Sequence, residues 1–342
     1  MGFRAYQILI NFIKTIKIVM SDQSTNMAFV FPGQGSQSVG MLTDLAAHYS
    51  AVKHTFARAS EALGKDLWRI VTVDPDNELD QTHNTQPIML AAGVAVWDIW
   101  CKLSPVRPAW MAGHSLGEYT ALVCSEALAF EDAIKLVAVR GQLMQEAVPE
   151  GVGAMAAILG LSDQDVEAVC AEAAGDEIVS AVNFNTPGQV VIAGHLAAVE
   201  RAMVAAKNKG AKRALPLPVS VPSHCALMKP AAERLGGFLS DIPVTRPKAK
   251  LVHNVDVAVH SDALEIKNIL AEQLYKPVRW VDTIEFMQLQ GVTSFVECGP
   301  GKVLLGLNKR IAKHAGHFAL YDAETLDNLL EAQEAEILHY EN

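Results

Sequence analysis

A serine between two glycines is the clearest sign of chemistry in this sequence, in the segment AGHSLGEYTALVCS at residues 112–125. The residues before Ser115 are strand-like, and those after it are helix-like. In such a G-x-S-x-G corner the glycines permit a tight turn that holds the serine hydroxyl out at a helix N-terminus, and the next backbone N–H, that of Leu116, can donate to an oxyanion. The pattern predicts that Ser115 is a nucleophile. A chance match in an Ala- and Gly-rich chain is the alternative.

A serine nucleophile needs a base, and the chain offers eleven histidines. His224 lies in the proline-bounded segment VPSHCALM, from which a side chain could reach back across the core. His114 is adjacent to the serine, but on such a turn its side chain would point away from the hydroxyl. His54, His83 and His253 remain open because spacing alone does not select one.

Arg140 follows the apolar, helix-like segment EDAIKLVAV. An arginine at the end of an apolar run usually extends its charged group to the surface. The residue pattern alone therefore favours a surface role for Arg140 over a functional one.

Two glycine-rich segments resemble nucleotide-binding loops only superficially. GQGSQSVG, from Gly33, lacks the third glycine of G-x-G-x-x-G and the Lys-Ser/Thr of a P-loop, and GPGKVL, from Gly299, lacks the rest of either signature. No H-E-x-x-H or clustered His/Asp/Glu pattern indicates a metal. We expect neither a metal nor another cofactor.

Composition and charge narrow the class of protein. Half of the 342 residues are hydrophobic and the net charge is −10, so the chain is globular and neither nucleic acid nor an anionic membrane is expected as its partner. The five cysteines are dispersed, odd in number and without a C-x-x-C pair, which argues against a disulfide framework. We expect a cytoplasmic protein.

Residues 1–26 differ from the rest of the chain. Their segment MGFRAYQILINFIKTIKIVM is apolar and basic, but Lys14 and Lys17 interrupt the apolar run and no A-x-A site follows. The run is also too short and too charged to span a bilayer. We expect a disordered extension or a non-native start ahead of Met20 or Met27, with an amphipathic surface helix as the alternative.

Alternating strand-like and helix-like segments from Met27 onward predict an α/β protein. Within residues 151–220, GAMAAILGL reads as a strand, Ser162 as a helix cap, and NTPG as a hairpin turn between IVSAVNF and QVVIAG. A second helix and the segment ALPLPVSV follow, whose prolines Pro216 and Pro218 restrict it to a sheet edge. The order βαββαβ is that of a ferredoxin-like subdomain.

The predicted domain organisation follows from this pattern. Residues 151–220 form a subdomain inserted into a larger α/β core, made of residues 27–150 and 221–342. The sequence shows no internal repeat.

Six segments in order closely resemble the malonyl-CoA:acyl carrier protein transacylases of bacterial type II fatty-acid synthesis: FVFPGQGSQ, GHSLGEY, VRGQLMQ, SVPSHCALM, QLYKPVRW and GPGKVLLGL. The resemblance runs from about Met27 to near Leu320, and the N-terminal extension has no counterpart in it. It implies an α/β-hydrolase-like core with a ferredoxin-like insert. It also implies that Ser115 accepts the acyl group and that His224 is the base that activates this serine.

The resemblance assigns roles to further residues. The backbone N–H of Gln34 joins that of Leu116 in the oxyanion hole, and Arg140 binds the malonyl carboxylate, for which a planar guanidinium is suited. Gln273 matches the position whose backbone carbonyl orients the histidine, with no acid as a third member. Asn185 matches a residue near the same pocket.

The implied function is a ping-pong transfer of the malonyl group from malonyl-CoA to acyl carrier protein by a monomer. Because carrier proteins are acidic, a basic patch should dock them. One candidate patch holds Lys207, Lys209, Lys212 and Arg213, and a second holds Lys309, Arg310 and Lys313. Ordinary solvated helix faces are the alternative for both.

Two other functions compete with this one. A serine hydrolase would need an acid between Ser115 and His224 in chain order. The candidates Asp163, Asp165 and Asp176 all lie in the predicted insert, where they are badly placed to act with the serine and the histidine. A carrier-protein-binding module without catalysis would not need a nucleophile, a base, an arginine and an oxyanion donor together.

Overall fold

The computed structural model describes residues 26–219 and 221–339. Two β-sheets run through these residues. Their strands are β1 (Met27–Phe31), β2 (Trp110–Gly113), β3 (Gly153–Leu159), β4 (Val179–Thr186), β5 (Gln189–His195), β6 (Arg213–Pro216), β7 (Lys250–Val252), β8 (Ser294–Cys298) and β9 (Gly316–Leu320).

Helices account for most of the remaining described residues. They are α1 (Thr43–His48), α2 (Ser50–Leu63), α3 (Leu67–Thr72), α4 (Thr82–Leu103), α5 (Gly117–Cys124), α6 (Phe130–Ala147), α7 (Asp163–Ala174), α8 (Leu196–Asn208), α9 (Lys229–Asp241), α10 (Ala263–Glu272), α11 (Trp280–Leu289), α12 (Val303–Ile311) and α13 (Ala323–His339). None of these helices combines the length and the apolar character that a membrane span requires.

The larger sheet is parallel, with strand order β7-β2-β1-β8-β9. Its central strand, β1, is buried at every position, because helices cover both faces of the sheet. Phe29 and Phe31 pack into one core beside α4, while Ala28 and Val30 pack into a second core beside α11 and α12. A continuous apolar run such as MAFVF is typical of a parallel strand that is covered on both faces.

The smaller sheet is antiparallel, with strand order β4-β5-β3-β6. Its elements follow the predicted order β3-α7-β4-β5-α8-β6, and Ser162 caps α7 by accepting from the backbone N–H of Asp165. One face packs on α7 and α8, whereas the opposite face, with Met155 and Val191, lies toward the larger sheet. The edge strand β6 ends at Pro216, earlier than the apolar alternation suggested; Pro216 still pairs with Ala156, and Pro218 follows two residues later.

The expected fold class is therefore confirmed: a parallel α/β core carries a small antiparallel subdomain. We keep 151–220 as the proposed limits of the insert, since its strands run from Gly153 to Pro216. The expectation for the N-terminal extension lies, apart from Asn26, outside the described residues.

Candidate active site

Ser115 lies on a sharp corner between β2 and α5. Its φ of 52° is in the left-handed region that side chains rarely adopt. A methyl group on Gly113 would overlap the backbone of Gly117, and one on Gly117 would overlap the carbonyl of Phe31. Both glycines are therefore required for this corner, at the carboxyl end of the parallel strands, where open α/β sheets bind ligands.

Asn254, two residues after β7, holds the corner from the neighbouring strand. Its Oδ1 accepts from the backbone N–H of Ser115 at 2.8 Å, and its Nδ2 donates to the carbonyl of Gly113 at 2.7 Å. The side chain is fully buried. Sequence reasoning missed Asn254, for which the available signal was an asparagine beside a histidine at the end of the strand-like segment LVHNV.

The imidazole of His224 faces the serine hydroxyl. Its Nε2 lies 2.8 Å from Ser115 Oγ, and its Nδ1 lies 2.7 Å from the backbone carbonyl of Gln273. Because a carbonyl only accepts, Nδ1 carries the proton and the lone pair of Nε2 points at the hydroxyl. This is the form of the ring that can remove a proton from serine.

The surroundings of His224 keep its ring neutral. Burial lowers the pKa of His224 to about 3, and the positive charge of Arg140 adds to this effect. The hydrogen bond from Nδ1 to the Gln273 carbonyl acts in the opposite direction but is smaller. The ring of His224 is therefore unprotonated over the whole neutral range.

Arg140 lies beside Ser115 and not at the surface. It stands in the middle of α6, which continues to Ala147, and it is only 1 % exposed. Its Nη2 donates to Ser115 Oγ at 3.2 Å and to Gln273 Oε1 at 3.0 Å, and its Nη1 donates to Gln86 Oε1 at 2.8 Å.

The guanidinium of Arg140 has no acidic side chain as an ion-pair partner among the described residues. Its neighbours are neutral amides, a hydroxyl and the ring of Tyr119, 5.4 Å from the guanidinium carbon to the ring centroid. Burial lowers the pKa of Arg140. A buried cation with neutral neighbours attracts an anionic group of a ligand.

The backbone N–H groups of Gln34 and Leu116 border the same cavity. Neither donates to another described residue, whereas the N–H of Ser115 is held by Asn254. Two free donors next to a nucleophile can stabilise the negative oxygen that forms when a carbonyl is attacked.

Asn185 lies on the opposite wall, at the end of β4. Its Oδ1 accepts from His114 Nε2 at 2.9 Å, and the ring of His114 packs against that of Trp280, 5.4 Å between centroids. His114 is therefore turned toward Asn185 and away from the serine hydroxyl. It belongs to the wall of the cavity, which sequence reasoning had not assigned.

Among the described residues the serine hydroxyl bonds to His224 and Arg140, and not to His54, His83 or His253. His83 contacts Gln145, and His253 contacts Glu118. The four cations from Lys207 to Arg213 are exposed and do not line the cavity.

The cavity has a volume of about 220 Å³ and lies between the two sheets. Met155 and Val191 of the small sheet form one wall, and Val303, Leu304 and Leu307 of α12 form another. A larger cavity of about 930 Å³ near the start of β2 contains none of the candidate residues. No cluster of metal-binding side chains occurs among the described residues.

Comparison with known proteins gives consistent results. The acyl transferase domain family matches residues 28–321. The malonyl CoA-acyl carrier protein transacylase of Salmonella typhimurium is 55% identical over 306 residues, which covers 90% of this chain and 99% of the relative.

Solved structures agree with the sequence relatives. An acyl carrier protein S-malonyltransferase from Vibrio cholerae superimposes with a TM-score of 0.87 at 57% identity, covering 89% of this chain and 99% of that one. A malonyl-transacylase solved in complex with its type II PKS acyl-carrier protein superimposes with a TM-score of 0.89 at 54% identity, covering 90% and 99%.

Proposed function

This chain belongs to the malonyl-CoA:acyl carrier protein transacylase family, and from that premise we propose that its reaction proceeds through a malonylated Ser115. The enzyme transfers the malonyl group from malonyl-CoA to acyl carrier protein and supplies malonyl-ACP for fatty-acid synthesis. The observation that carries the mechanism is the contact of 2.8 Å between Ser115 Oγ and His224 Nε2, with Arg140 beside it.

In the first half-reaction, His224 Nε2 takes the hydroxyl proton as Ser115 Oγ attacks the thioester carbon of malonyl-CoA. The backbone N–H groups of Gln34 and Leu116 stabilise the oxyanion, each worth about 2.7–4 kcal/mol of transition-state stabilisation in comparable sites. The carbon–sulfur bond then breaks, and the CoA thiolate leaves with the proton from His224. The product is an ester of malonate on Ser115.

Arg140 binds the malonyl carboxylate in this mechanism. Its planar guanidinium can donate two parallel hydrogen bonds to a carboxylate. Acetyl-CoA cannot form this ion pair and leaves the buried charge without a partner, so the site favours malonyl groups. Asn185, across the cavity, orients His114 and limits the space for the acyl group.

In the second half-reaction the thiol of the carrier protein's phosphopantetheine arm attacks the malonyl-serine. His224 removes the thiol proton and then returns it to Ser115 as the carbon–oxygen bond breaks. The thiol must react before water does, and a narrow cavity of about 220 Å³ between two sheets supports that selectivity.

The carrier protein docks on cations at one rim of the small sheet. In the small sheet, Leu159 pairs with Gln189 of β5 and with Arg213 of β6, so the three side chains point to the same face. Because side chains alternate along a strand, this is also the face of Met155, which lines the cavity. Arg310 donates to Gln189 Oε1 at 3.0 Å. The two basic segments of the sequence thus meet near one rim.

Other features of the enzyme fit this function. The family resemblance implies action as a monomer, and Ser115, His224 and Arg140 meet within one chain. All five cysteines are unpaired, which supports a reducing compartment such as the cytoplasm.

Intact-protein mass spectrometry tests the mechanism. Wild type, Ser115→Ala and the control Ser36→Ala, which removes another serine of the cavity, are incubated briefly with malonyl-CoA. A malonyl adduct should form on the wild type and on Ser36→Ala but not on Ser115→Ala. When carrier protein with its phosphopantetheine arm is then added, the malonyl group should move to it. An adduct lost to water beforehand would favour a hydrolase, and no adduct would favour a module that only binds.

A further inference from the structure

A buried carboxylate, that of Glu118, lies one helical turn after the nucleophile and takes no direct part in the proposed reaction. Its Oε1 accepts from His253 Nδ1 at 2.6 Å, and its Oε2 accepts from the backbone N–H of Asn254 at 3.1 Å and from Gln273 Nε2 at 2.9 Å. Glu118 is 0 % exposed. Three donors on two oxygens is the arrangement of an ionised carboxylate, which accepts and does not donate.

The first branch of this network leads to the base and to the arginine. The amide Nε2 of Gln273 is held by Glu118 and by the carbonyl of Ser115, 3.0 Å away. With its amide fixed in this way, Gln273 presents Oε1 to Arg140 and its backbone carbonyl to His224. Glu118 therefore fixes a residue that contacts both groups.

The second branch leads to the nucleophile. The bonds from His253 and Asn254 tie the segment after β7 to α5. Asn254 in turn holds both sides of the serine corner, through Ser115 and Gly113. The carboxylate thus connects to the nucleophile by a path that does not include Arg140.

The charge of Glu118 also acts on Arg140. Burial lowers the pKa of Arg140, whereas first Tyr119 and then Glu118 raise it. Glu118 is thus a negative charge near the guanidinium that does not contact it. The guanidinium lines the cavity, and its hydrogen-bond partners are neutral groups.

We propose that Glu118 is a positioning residue for malonyl selectivity: through Gln273 it sets the orientation of Arg140 toward the malonyl carboxylate, and through Asn254 it separately secures the serine corner. This inference rests on the proposed function, in which Arg140 binds that carboxylate. Replacing Glu118 should therefore change the choice between acyl groups as well as the rate.

The test compares acylation of Ser115 by malonyl-CoA and by acetyl-CoA in single-turnover experiments on the full chain. In Glu118→Gln we expect the ratio of malonyl to acetyl acylation rates to fall about tenfold or more, since a misplaced arginine affects the substrate with a carboxylate more strongly than the one without. Asn254→Ala is the matched control. It should lower both rates by a common factor and leave the ratio unchanged.

A folded Glu118→Gln protein with the wild-type ratio would overturn the proposal, as would an equal change of the ratio in Asn254→Ala. If Glu118→Gln does not fold, Glu118→Asp decides, because it keeps the charge but shortens the reach: a lowered ratio supports the proposal and wild-type rates and ratio contradict it. Malonylation of the wild type is measured in the same series, so a failure of the proposed function is recognised separately.

Discussion

The guanidinium of Arg140 and the hydroxyl of Ser115 are hydrogen-bonded, with Nη2 3.2 Å from Oγ. In a malonyl thioester one methylene separates the carboxylate from the reacting carbonyl carbon. A cation that contacts the nucleophile is therefore at the right distance to bind the carboxylate while the hydroxyl attacks the carbonyl. In the proposed mechanism, the distance between these two residues connects the choice of substrate with the chemical step.

Replacing Arg140 should separate malonyl from acetyl transfer. In Arg140→Ala we expect kcat/KM for malonyl-CoA to fall about 100-fold or more, because a buried ion pair with the substrate is lost, while that for acetyl-CoA falls less than about tenfold. Arg140→Lys, which keeps the charge but loses the planar pair of donors, should be intermediate. Steady-state rates with both thioesters test this, and equal losses on both substrates would argue against the role.

The acylation rate should be nearly independent of pH through the range where histidine usually titrates. The pKa of His224 is lowered to about 3, mainly by burial and also by Arg140. The base is therefore neutral at every pH well above 3. We expect kcat/KM for malonyl-CoA to show no inflection near the ordinary histidine pKa of about 6.5.

Arg140→Met provides the comparison for this pH profile. It removes one of the causes that lower the pKa of His224, so the inflection should move upward in its profile with acetyl-CoA. A wild-type profile that falls with a midpoint near the ordinary histidine pKa would show that the ring is protonated in the free enzyme.

Glu297 should make the stability of the fold depend on pH. It lies in β8, and its carboxylate accepts from the N–H groups of Leu304 and Leu305 at the start of α12. Burial raises the pKa of Glu297 from 4.5 to about 7, although these hydrogen bonds lower it. The folded state thus holds a proton that the unfolded chain releases, and this contribution to stability is lost as pH rises from about 4.5 through 7.

Glu297→Gln measures that contribution, since it removes the titration. Between about pH 5 and pH 8, the unfolding free energy of the wild type should fall relative to that of Glu297→Gln by about 2 to 3 kcal/mol. Urea titrations across this range test the prediction, with the exposed Glu61→Gln on α2 as control. Parallel curves for wild type and Glu297→Gln would refute it.

The docking rim predicts a specific change in the kinetics with carrier protein. Charge reversal in Arg213→Glu or Arg310→Glu should raise KM for carrier protein about tenfold at low salt, while KM for malonyl-CoA stays within about twofold. Lys102→Glu is the control, because it lies at the far end of α4, about 30 Å from Thr82 at the cavity. An unchanged carrier KM in both rim variants would reject this surface.

Local patterns were sufficient to predict most of the fold. The apolar run of β1, the cap at Ser162 and the hairpin turn each act over a few residues, so the sequence predicts them directly. Their order gave the inserted subdomain. The serine corner was also visible locally, since its glycines are adjacent in sequence to Ser115.

The supports of the site were not predictable in this way. Glu118 reads as an exposed helix residue, yet it is buried among partners more than 130 residues away in the chain. Arg140 likewise ends an apolar run, and only the packing of α6 places it inside. Spacing along the chain could not select His224 among the histidines, because Ser115 and His224 are far apart in sequence. The family resemblance did select it, because the family's motifs include residues that meet only in the folded protein.

The strand order has a consequence for when the central sheet can form during folding. β2, which ends at the serine corner, lies between β1 and β7, and β1 itself pairs with β8, whose residues 294–298 are among the last of the sheet to be synthesised. Contacts of such large sequence separation form late in folding. Because Ser115 follows β2 within this sheet, we expect recovery of malonyl transfer after dilution from denaturant to report completion of the central sheet.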